Sequence, residues 1–134
     1  MRVMLKQEYR GCDVFGCGHF GASRGTRKHI GLDLKATKGD CVYSPIIGKV
    51  TKLGYAYSDD LSFRYVEIKG DSYLVRVFYI HPSIRLGEDV TEKTLIGVAQ
   101  TLGERYKGIT DHVHVEVRRG VKLLDPEQFF KEDK

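Results

Sequence analysis

Alternation of apolar and polar residues with a period of two is the feature that most constrains how this chain can fold. It is clearest in the segments SYLVRVFYI and HVHVEVRR. Successive side chains of a strand point to opposite faces of a sheet, so such segments predict strands with one face on a core. Strands are predicted at 29–36, 41–45, 48–57, 63–70, 72–80, 94–99 and 112–119. The chain has 15 glycines and three prolines, and its Gly70-Asp71 pair predicts a hairpin turn between two of these strands.

The C-terminal end follows a different pattern. Asp125 and Pro126 supply an N-cap and a residue suited to the first helical position, which predicts a short helix over about 125–131. Six or seven short antiparallel strands with one terminal helix predict an all-β fold, mainly an antiparallel sheet or sandwich. A chain of 134 residues suits one domain, 1–134.

Charge and hydropathy exclude several classes of protein. The net charge is +4, from 22 lysines and arginines against 18 acidic residues, and the cations are scattered along the chain. This charge helps at an anionic surface, but without a basic cluster nucleic acid is not an expected partner. No apolar run approaches the roughly 18 residues of a membrane span. The start, MRVMLKQEYR, lacks the apolar core of a secretory signal peptide.

Two histidines occupy alternate positions in the segment DHVHVEV. On a strand, His112, His114 and Glu116 share one face and three valines share the other. We expect the valine face to pack inward and the histidine face to line a groove. There one imidazole could bind a metal, and the other could contact the group that the metal binds. The alternative is a polar outer face that carries two histidines by chance.

A second motif places His29 four residues before Asp33. On a flat strand the two residues would be about 13 Å apart, too far to share an ion bound at about 2 Å. Convergence therefore requires a bend, which Gly31 could supply; the alternative is a turn with an isolated histidine. Together the two motifs offer two imidazoles and a carboxylate, the ligand set of a catalytic zinc site with one position left to water.

A further histidine, His81, ends the apolar strand in YIHP. At a strand end that faces a groove, its ring could donate a hydrogen bond to a developing oxyanion. The alternative is a surface histidine before a turn.

Three cysteines are too few for a disulfide framework. Cys12 and Cys17 are separated by four residues and allow either a small disulfide-closed loop or two reduced thiols. A zinc knuckle is disfavoured because no second cysteine pair completes four ligands. Cys41 lies in an apolar run and is predicted to be a buried free thiol.

The order of the histidine motifs, HxxxD, then YIH, then HxH, resembles the lysostaphin-type zinc endopeptidases, the family of LytM-like domains. The segments VYSPIIGKV and GEDVTEKTLIGVAQTLG are also similar to stretches of that family. The resemblance covers about 12–119 and implies a LytM-like fold that binds one Zn²⁺ ion. By this resemblance the zinc ligands are His29, Asp33 and His114. It also implies that His112 is the general base and that His81 is a second catalytic histidine, which stabilises the tetrahedral intermediate.

The N-terminal segment CDVFGCGHFGASRGTRKHIGLD resembles one branch of this fold more narrowly, that of leukocyte cell-derived chemotaxin 2. Proteins of this branch are secreted and bind zinc, have no known peptidase activity, and lack the histidine of the YIH motif. Their corresponding cysteines are bridged, which implies a Cys12–Cys17 disulfide here. The branch implies an alternative function, a catalytically silent zinc-binding interaction or signalling module.

All five positions of the peptidase site are filled in this chain, which favours a zinc metalloendopeptidase. The family hydrolyses peptide cross-links of bacterial peptidoglycan, at Gly-Gly or D-Ala-to-diaminoacid bonds. The resemblance therefore implies action outside the cytoplasm, by a secreted, periplasmic or phage-delivered protein, and a monomer is expected. In some family members an upstream residue takes the fourth zinc position. His19 could do so or line the groove, or it could simply be exposed in its loop.

Overall fold

The computed structural model describes residues 1–130, most of which form short antiparallel strands. The strands are β1 Cys12–Asp13, β2 Gly16–Cys17, β3 Ser23–Arg24, β4 Arg27–Lys28, β5 Leu32–Lys35, β6 Cys41–Tyr43, β7 Gly48–Tyr55, β8 Arg64–Lys69, β9 Leu74–Phe78, β10 Ile80–Pro82, β11 Asp89–Val90, β12 Leu95–Ala99, β13 His112–Arg119 and β14 Lys122–Leu124. A short helix, α1, spans Glu127–Phe130. The predicted all-β class with a C-terminal helix is confirmed. Residue 131, the last of the predicted helix, lies outside the described residues.

Two sheets make up most of the fold. The larger has seven strands in the order β11-β7-β8-β9-β13, with β5 and β14 pairing along the other edge of β13. The smaller has the order β10-β12-β6. Strands β8 and β9 form the hairpin that the Gly-Asp pair predicted, and the pairing is antiparallel. The central position of β13 brings strands from both halves of the chain against its histidines.

Apolar side chains from both sheets form the core. Strand β13 contributes three fully buried valines, while β6 and β12 contribute Val42 and Ile96. Each such side chain stabilises the fold by about 1.5–3 kcal/mol relative to exposure. The other face of β13 is buried as well. The histidines are thus buried, on the face of β13 opposite the valines.

The N-terminal segment, which contains the short strands β1–β4, runs along the free edge of β5. The amide of Arg10 donates to the Asp33 carbonyl at 3.0 Å, and the Asp33 amide donates to the Gly18 carbonyl at 2.8 Å. Between these contacts the β1–β2 hairpin is closed by a disulfide between Cys12 and Cys17. The segment therefore lies against the strand that carries the predicted ligand Asp33.

Cys41 is free, as predicted, but it is exposed rather than buried. It is the first residue of β6, an edge strand of the three-stranded sheet. The neighbouring Val42 is completely buried in the core. Because side chains alternate along a strand, the inward position of Val42 places Cys41 on the outer face.

Thiol counting tests the bridge. We expect one free thiol in the denatured, unreduced protein and three after reduction. Replacing both Cys12 and Cys17 with serine should lower the free energy of unfolding by about 2–3 kcal/mol, because a short cross-linked loop restricts the unfolded chain. Urea denaturation measures this loss, and Cys41→Ser is the matched control, expected to cost little. Three thiols before reduction would contradict the bridge.

Candidate metal centre

His29, Asp33 and His114 each bring one ligand atom to a common point inside the protein. The Nε2 atom of His29 lies 3.0 Å from Nδ1 of His114. The Asp33 Oδ1 atom lies 2.8 Å from Nδ1 of His114 and 3.2 Å from Nε2 of His29. All three residues are buried, and their ligand atoms lie within 4.8 Å of one another. The structure thus brings together the three residues that the sequence predicted as ligands.

The register of the sheet and a close backbone approach account for this convergence. Strands β5 and β13 pair with Asp33 opposite His114. His29 lies before β5, in a loop that occupies the first part of the predicted strand 29–36. A Cβ atom on Gly31 would lie 2.5 Å from the Val115 carbonyl oxygen and 2.6 Å from Cε1 of His114. The predicted bend is present, and a glycine is needed there because β13 passes so close.

Hydrogen bonds to the far side of each imidazole set the tautomers. Nδ1 of His29 lies 3.0 Å from the His19 carbonyl oxygen, and Nε2 of His114 lies 2.9 Å from Oε2 of Glu116. A backbone carbonyl and a carboxylate oxygen are acceptors, so in the metal-binding form these ring nitrogens would donate, and the other nitrogen of each ring would present its lone pair to the common point. Two nitrogen lone pairs and a carboxylate oxygen therefore converge, which is the donor set that Zn²⁺ prefers.

The pKa shifts at this point favour positive charge. Burial raises the pKa of Asp33, but hydrogen bonds from His114 and His29 outweigh burial and hold its pKa well below the usual range. Burial lowers the pKa of His114, but its hydrogen bonds to Asp33 and Glu116 reverse the effect and raise it overall. The point between these groups therefore favours a positive charge, which would be supplied by the metal ion once it displaces the imidazole proton.

Arg10 is a buried side chain of this centre that the sequence did not single out. Its Nη1 atom donates to Oδ2 of Asp33 at 2.8 Å, which leaves Oδ1 for an ion. Its Nε and Nη2 atoms donate to the carboxylate of Asp13 at 3.1 and 2.7 Å. Asp13 in turn accepts a hydrogen bond from the Thr110 amide at 2.9 Å. The disulfide hairpin thereby fixes the orientation of the Asp33 carboxylate.

His112 lies beside the three ligand residues without sharing their common point. Its Nδ1 atom donates to the Thr110 carbonyl oxygen at 2.7 Å, so Nε2 carries the lone pair. Nε2 lies 3.4 Å from Oδ2 of Asp33. Burial lowers the pKa of His112, more than the nearby Asp33 carboxylate raises it. The ring is thus held as a neutral base next to the candidate metal position.

A cavity of about 270 Å³ opens over these residues. The lining comprises the three ligand residues, His112, two arginines and a group of apolar and aromatic side chains that includes Tyr57, Tyr79 and Tyr106. A larger cavity of about 750 Å³ contains none of the chain's histidines. The smaller cavity is therefore the candidate active site.

The structure does not bring His81 into this cavity. Its side chain is exposed, whereas Tyr79, two residues earlier, lines the cavity. Tyr79 has a φ of 68°, which interrupts the alternation between β9 and β10. Ile80 consequently points into the core, and His81 points outward. The catalytic position predicted for His81 is not supported by its geometry. His19 is likewise exposed, and it reaches the site only through its carbonyl oxygen.

Glu116 shares the histidine face of β13, but no motif in the sequence assigned it a role of its own. We expect Glu116→Gln to weaken zinc binding by about 10–100-fold, because a charged partner of a ligating imidazole raises its basicity. Competition with a chromogenic chelator measures the affinity. Glu92→Gln, at an exposed turn position, is the control and should bind zinc as the wild type does. An unchanged affinity in Glu116→Gln would contradict this role.

Comparisons with known proteins agree with the motifs. Residues 27–126 match peptidase family M23. Over 110 residues the chain is 34% identical to leukocyte cell-derived chemotaxin-2 of Mus musculus, covering 81% of this chain and 72% of that protein.

Two solved structures share the fold. LytU superposes with a TM-score of 0.71 at 20% identity, over 98% of this chain and 91% of that chain. The catalytic domain of the antimicrobial peptidase lysostaphin from Staphylococcus simulans superposes with a TM-score of 0.67 at 18% identity, over 94% of this chain and 92% of that chain. Identities this low establish the fold alone.

Within the described part of the chain, no helix is long and apolar enough to cross a membrane.

Proposed function

Because the chain belongs to peptidase family M23, we propose that it is a zinc-dependent endopeptidase that hydrolyses peptide cross-links of bacterial peptidoglycan. The observation that carries the proposal is the presence, in one cavity, of a three-residue ligand set and a separate neutral histidine. His29, Asp33 and His114 would hold the ion. The fold shared with LytU and with lysostaphin, an antimicrobial peptidase, supports the substrate class.

The proposed reaction uses the zinc ion that the three ligand residues would hold and His112 as the general base. Zinc, when bound, supplies a Lewis acid that lowers the pKa of water to about 7 and polarises a carbonyl group. Nε2 of His112 would accept the proton of the attacking water as the new carbon–oxygen bond forms. The same nitrogen would return the proton to the amine when the carbon–nitrogen bond breaks. The hydrogen bond from Nδ1 of His112 to the Thr110 carbonyl keeps Nε2 available for both transfers.

The protein would act outside the cytoplasm. A structural disulfide persists in oxidising compartments, so the Cys12–Cys17 bridge supports action outside the cytoplasm, where peptidoglycan lies. The net charge of +4 would favour approach to an anionic cell wall. We propose that the active form is a monomer with one zinc ion per chain.

A second candidate function is a zinc-binding interaction or signalling module without catalysis. Two observations favour it: the identity to the mouse chemotaxin and the outward direction of His81. In this alternative the metal centre stabilises the fold, and the same three ligands bind zinc.

Digestion of purified cell walls separates the two functions. Zinc-loaded protein would be incubated with walls that contain glycine cross-bridges and with walls that contain direct D-Ala-to-diaminoacid links. Mass spectrometry would then identify the released peptides. We expect defined cleavage of at least one wall type, loss of cleavage with a chelator, and recovery with added zinc. Protein that carries one zinc per chain and cleaves neither wall would instead support the non-catalytic module.

A further inference from the structure

Three tyrosine hydroxyls form a hydrogen-bonded chain that ends in the candidate active site. Nε of Arg105 donates to the Tyr106 hydroxyl at 3.1 Å. The Tyr106 hydroxyl donates to that of Tyr57 at 3.0 Å, and the Tyr57 and Tyr79 hydroxyls are 3.0 Å apart. All three tyrosines line the cavity that holds His112 and the ligand residues.

The direction of the chain follows from the donors available. A guanidinium group only donates, so Arg105 sets the first bond, and Tyr106 directs its own proton to the Tyr57 oxygen. Tyr57 then donates to Tyr79, and the proton of the Tyr79 hydroxyl is left for an acceptor in the cavity. Each accepted bond strengthens the next donor. The Arg105 guanidinium also lies 3.7 Å above the Tyr57 ring, which holds that ring in place.

The backbone at Tyr79 is strained in a way that directs this hydroxyl. Tyr79 is the one non-glycine residue with a positive φ among those described, at 68°. This conformation is uncommon for a bulky residue, and such strain is concentrated at functional sites. The Tyr79 ring meets the His112 ring edge to face, with centroids 5.5 Å apart. A donor therefore stands beside the candidate base, in the role for which the sequence predicted His81.

We propose that Tyr79 is a catalytic residue whose phenolic hydroxyl donates a hydrogen bond to the oxyanion that forms from the scissile carbonyl. This inference rests on the proposed peptidase function. Tyr79 does not transfer its proton: it remains a donor throughout, and His112 carries the proton from water to the amine. Tyr57 and Tyr106 are positioning residues that act through Tyr79.

Four variants test the assignment. Tyr79→Phe removes only the hydroxyl and should lower kcat about 10²–10³-fold, the effect of losing one oxyanion donor. Its KM and zinc content should stay close to the wild-type values. Tyr57→Phe should cause a smaller loss, because Tyr79 keeps its own hydroxyl. Tyr73→Phe, a partly buried tyrosine that packs on Phe129, is the matched control and should be fully active. His81→Ala should also retain activity.

Binding of a transition-state mimic gives a readout that does not depend on turnover. Phosphinic peptides with the sequences of the two kinds of cross-link would be titrated into zinc-loaded protein by calorimetry. Tyr79→Phe should bind the better of them at least 10-fold more weakly than the wild type, while uncleaved substrate should bind equally to Tyr79→Phe and to a His112→Ala reference.

The outcomes separate this inference from the proposed function. Wild-type kcat in Tyr79→Phe, or a loss in His81→Ala as large as that expected for Tyr79→Phe, would overturn the role of Tyr79 and leave the peptidase function standing. If the wild type cleaves no wall, the proposed function fails, and phosphinate affinity then decides the role of Tyr79. Equal affinity in the wild type and Tyr79→Phe, or no binding to either, would overturn it.

Discussion

Replacing His112 with alanine is expected to lower kcat for cell-wall hydrolysis by about 10²–10⁴-fold, while the protein keeps one zinc per chain. The expected loss is large because, among the described residues that line the cavity, only His112 has an imidazole lone pair that is not directed at the ligand point. The zinc should stay because none of the three ligand residues is removed. Turnover assays on purified walls and elemental analysis measure the two quantities on the same samples.

His81→Ala is the matched control for this experiment, because its imidazole is exposed and does not line the cavity. It should hydrolyse walls at the wild-type rate. Loss of zinc in His112→Ala would show that His112 is a ligand rather than a base. Full activity in His112→Ala would show that His112 is not the general base, although the protein would remain a peptidase.

The second large effect concerns the metal itself. Asp33→Ala should lower the zinc content well below one per chain and abolish hydrolysis, because Asp33 supplies the only carboxylate oxygen of the predicted ligand set. Elemental analysis after dialysis measures the metal, and the wall assay measures the activity. Asp71→Ala, in the exposed turn between β8 and β9, is the control and should change neither.

Asp33 also pairs with buried Arg10 at 2.8 Å, so its removal affects folding. Losing one partner of a buried ion pair costs about 3–5 kcal/mol of unfolding free energy. Asp33→Asn, which keeps the size and one acceptor oxygen, separates the two effects. A folded Asp33→Asn protein that holds one zinc per chain as tightly as the wild type would remove Asp33 from the ligand set.

The strands and the candidate ligands were largely predictable because their signals are local. Alternation along 112–119 places His112, His114 and Glu116 on one face whatever strands lie beside it. The HxxxD spacing required a bend if it was to form a site, and the loop before β5 supplies it. The Asp125 N-cap is also a local signal, and its side chain accepts from the Glu127 amide at 2.9 Å.

Contacts between distant segments were not predictable in the same way. Arg10 reaches Asp33 across 23 positions of sequence, and Tyr57 meets Tyr106 across 49. No short motif encodes either pair. The exposure of Cys41 was not predictable either. Its apolar neighbours predicted a buried thiol, but Val42 points into the core, so Cys41 lies on the outer face of β6.

The sequence by itself determined the fold class and the strand faces, since both follow from spacing along single strands, and its motifs offered the residues of a metal centre that the family resemblance implied. Only the tertiary structure decided which side chain stands beside His112. Strand β9 belongs to the larger sheet and β10 to the smaller one. Tyr79 is the residue between them, and its backbone is in the left-handed conformation. This single dihedral angle turns Tyr79 into the cavity and His81 out of it. Its value depends on how the two sheets pack, which no local pattern records.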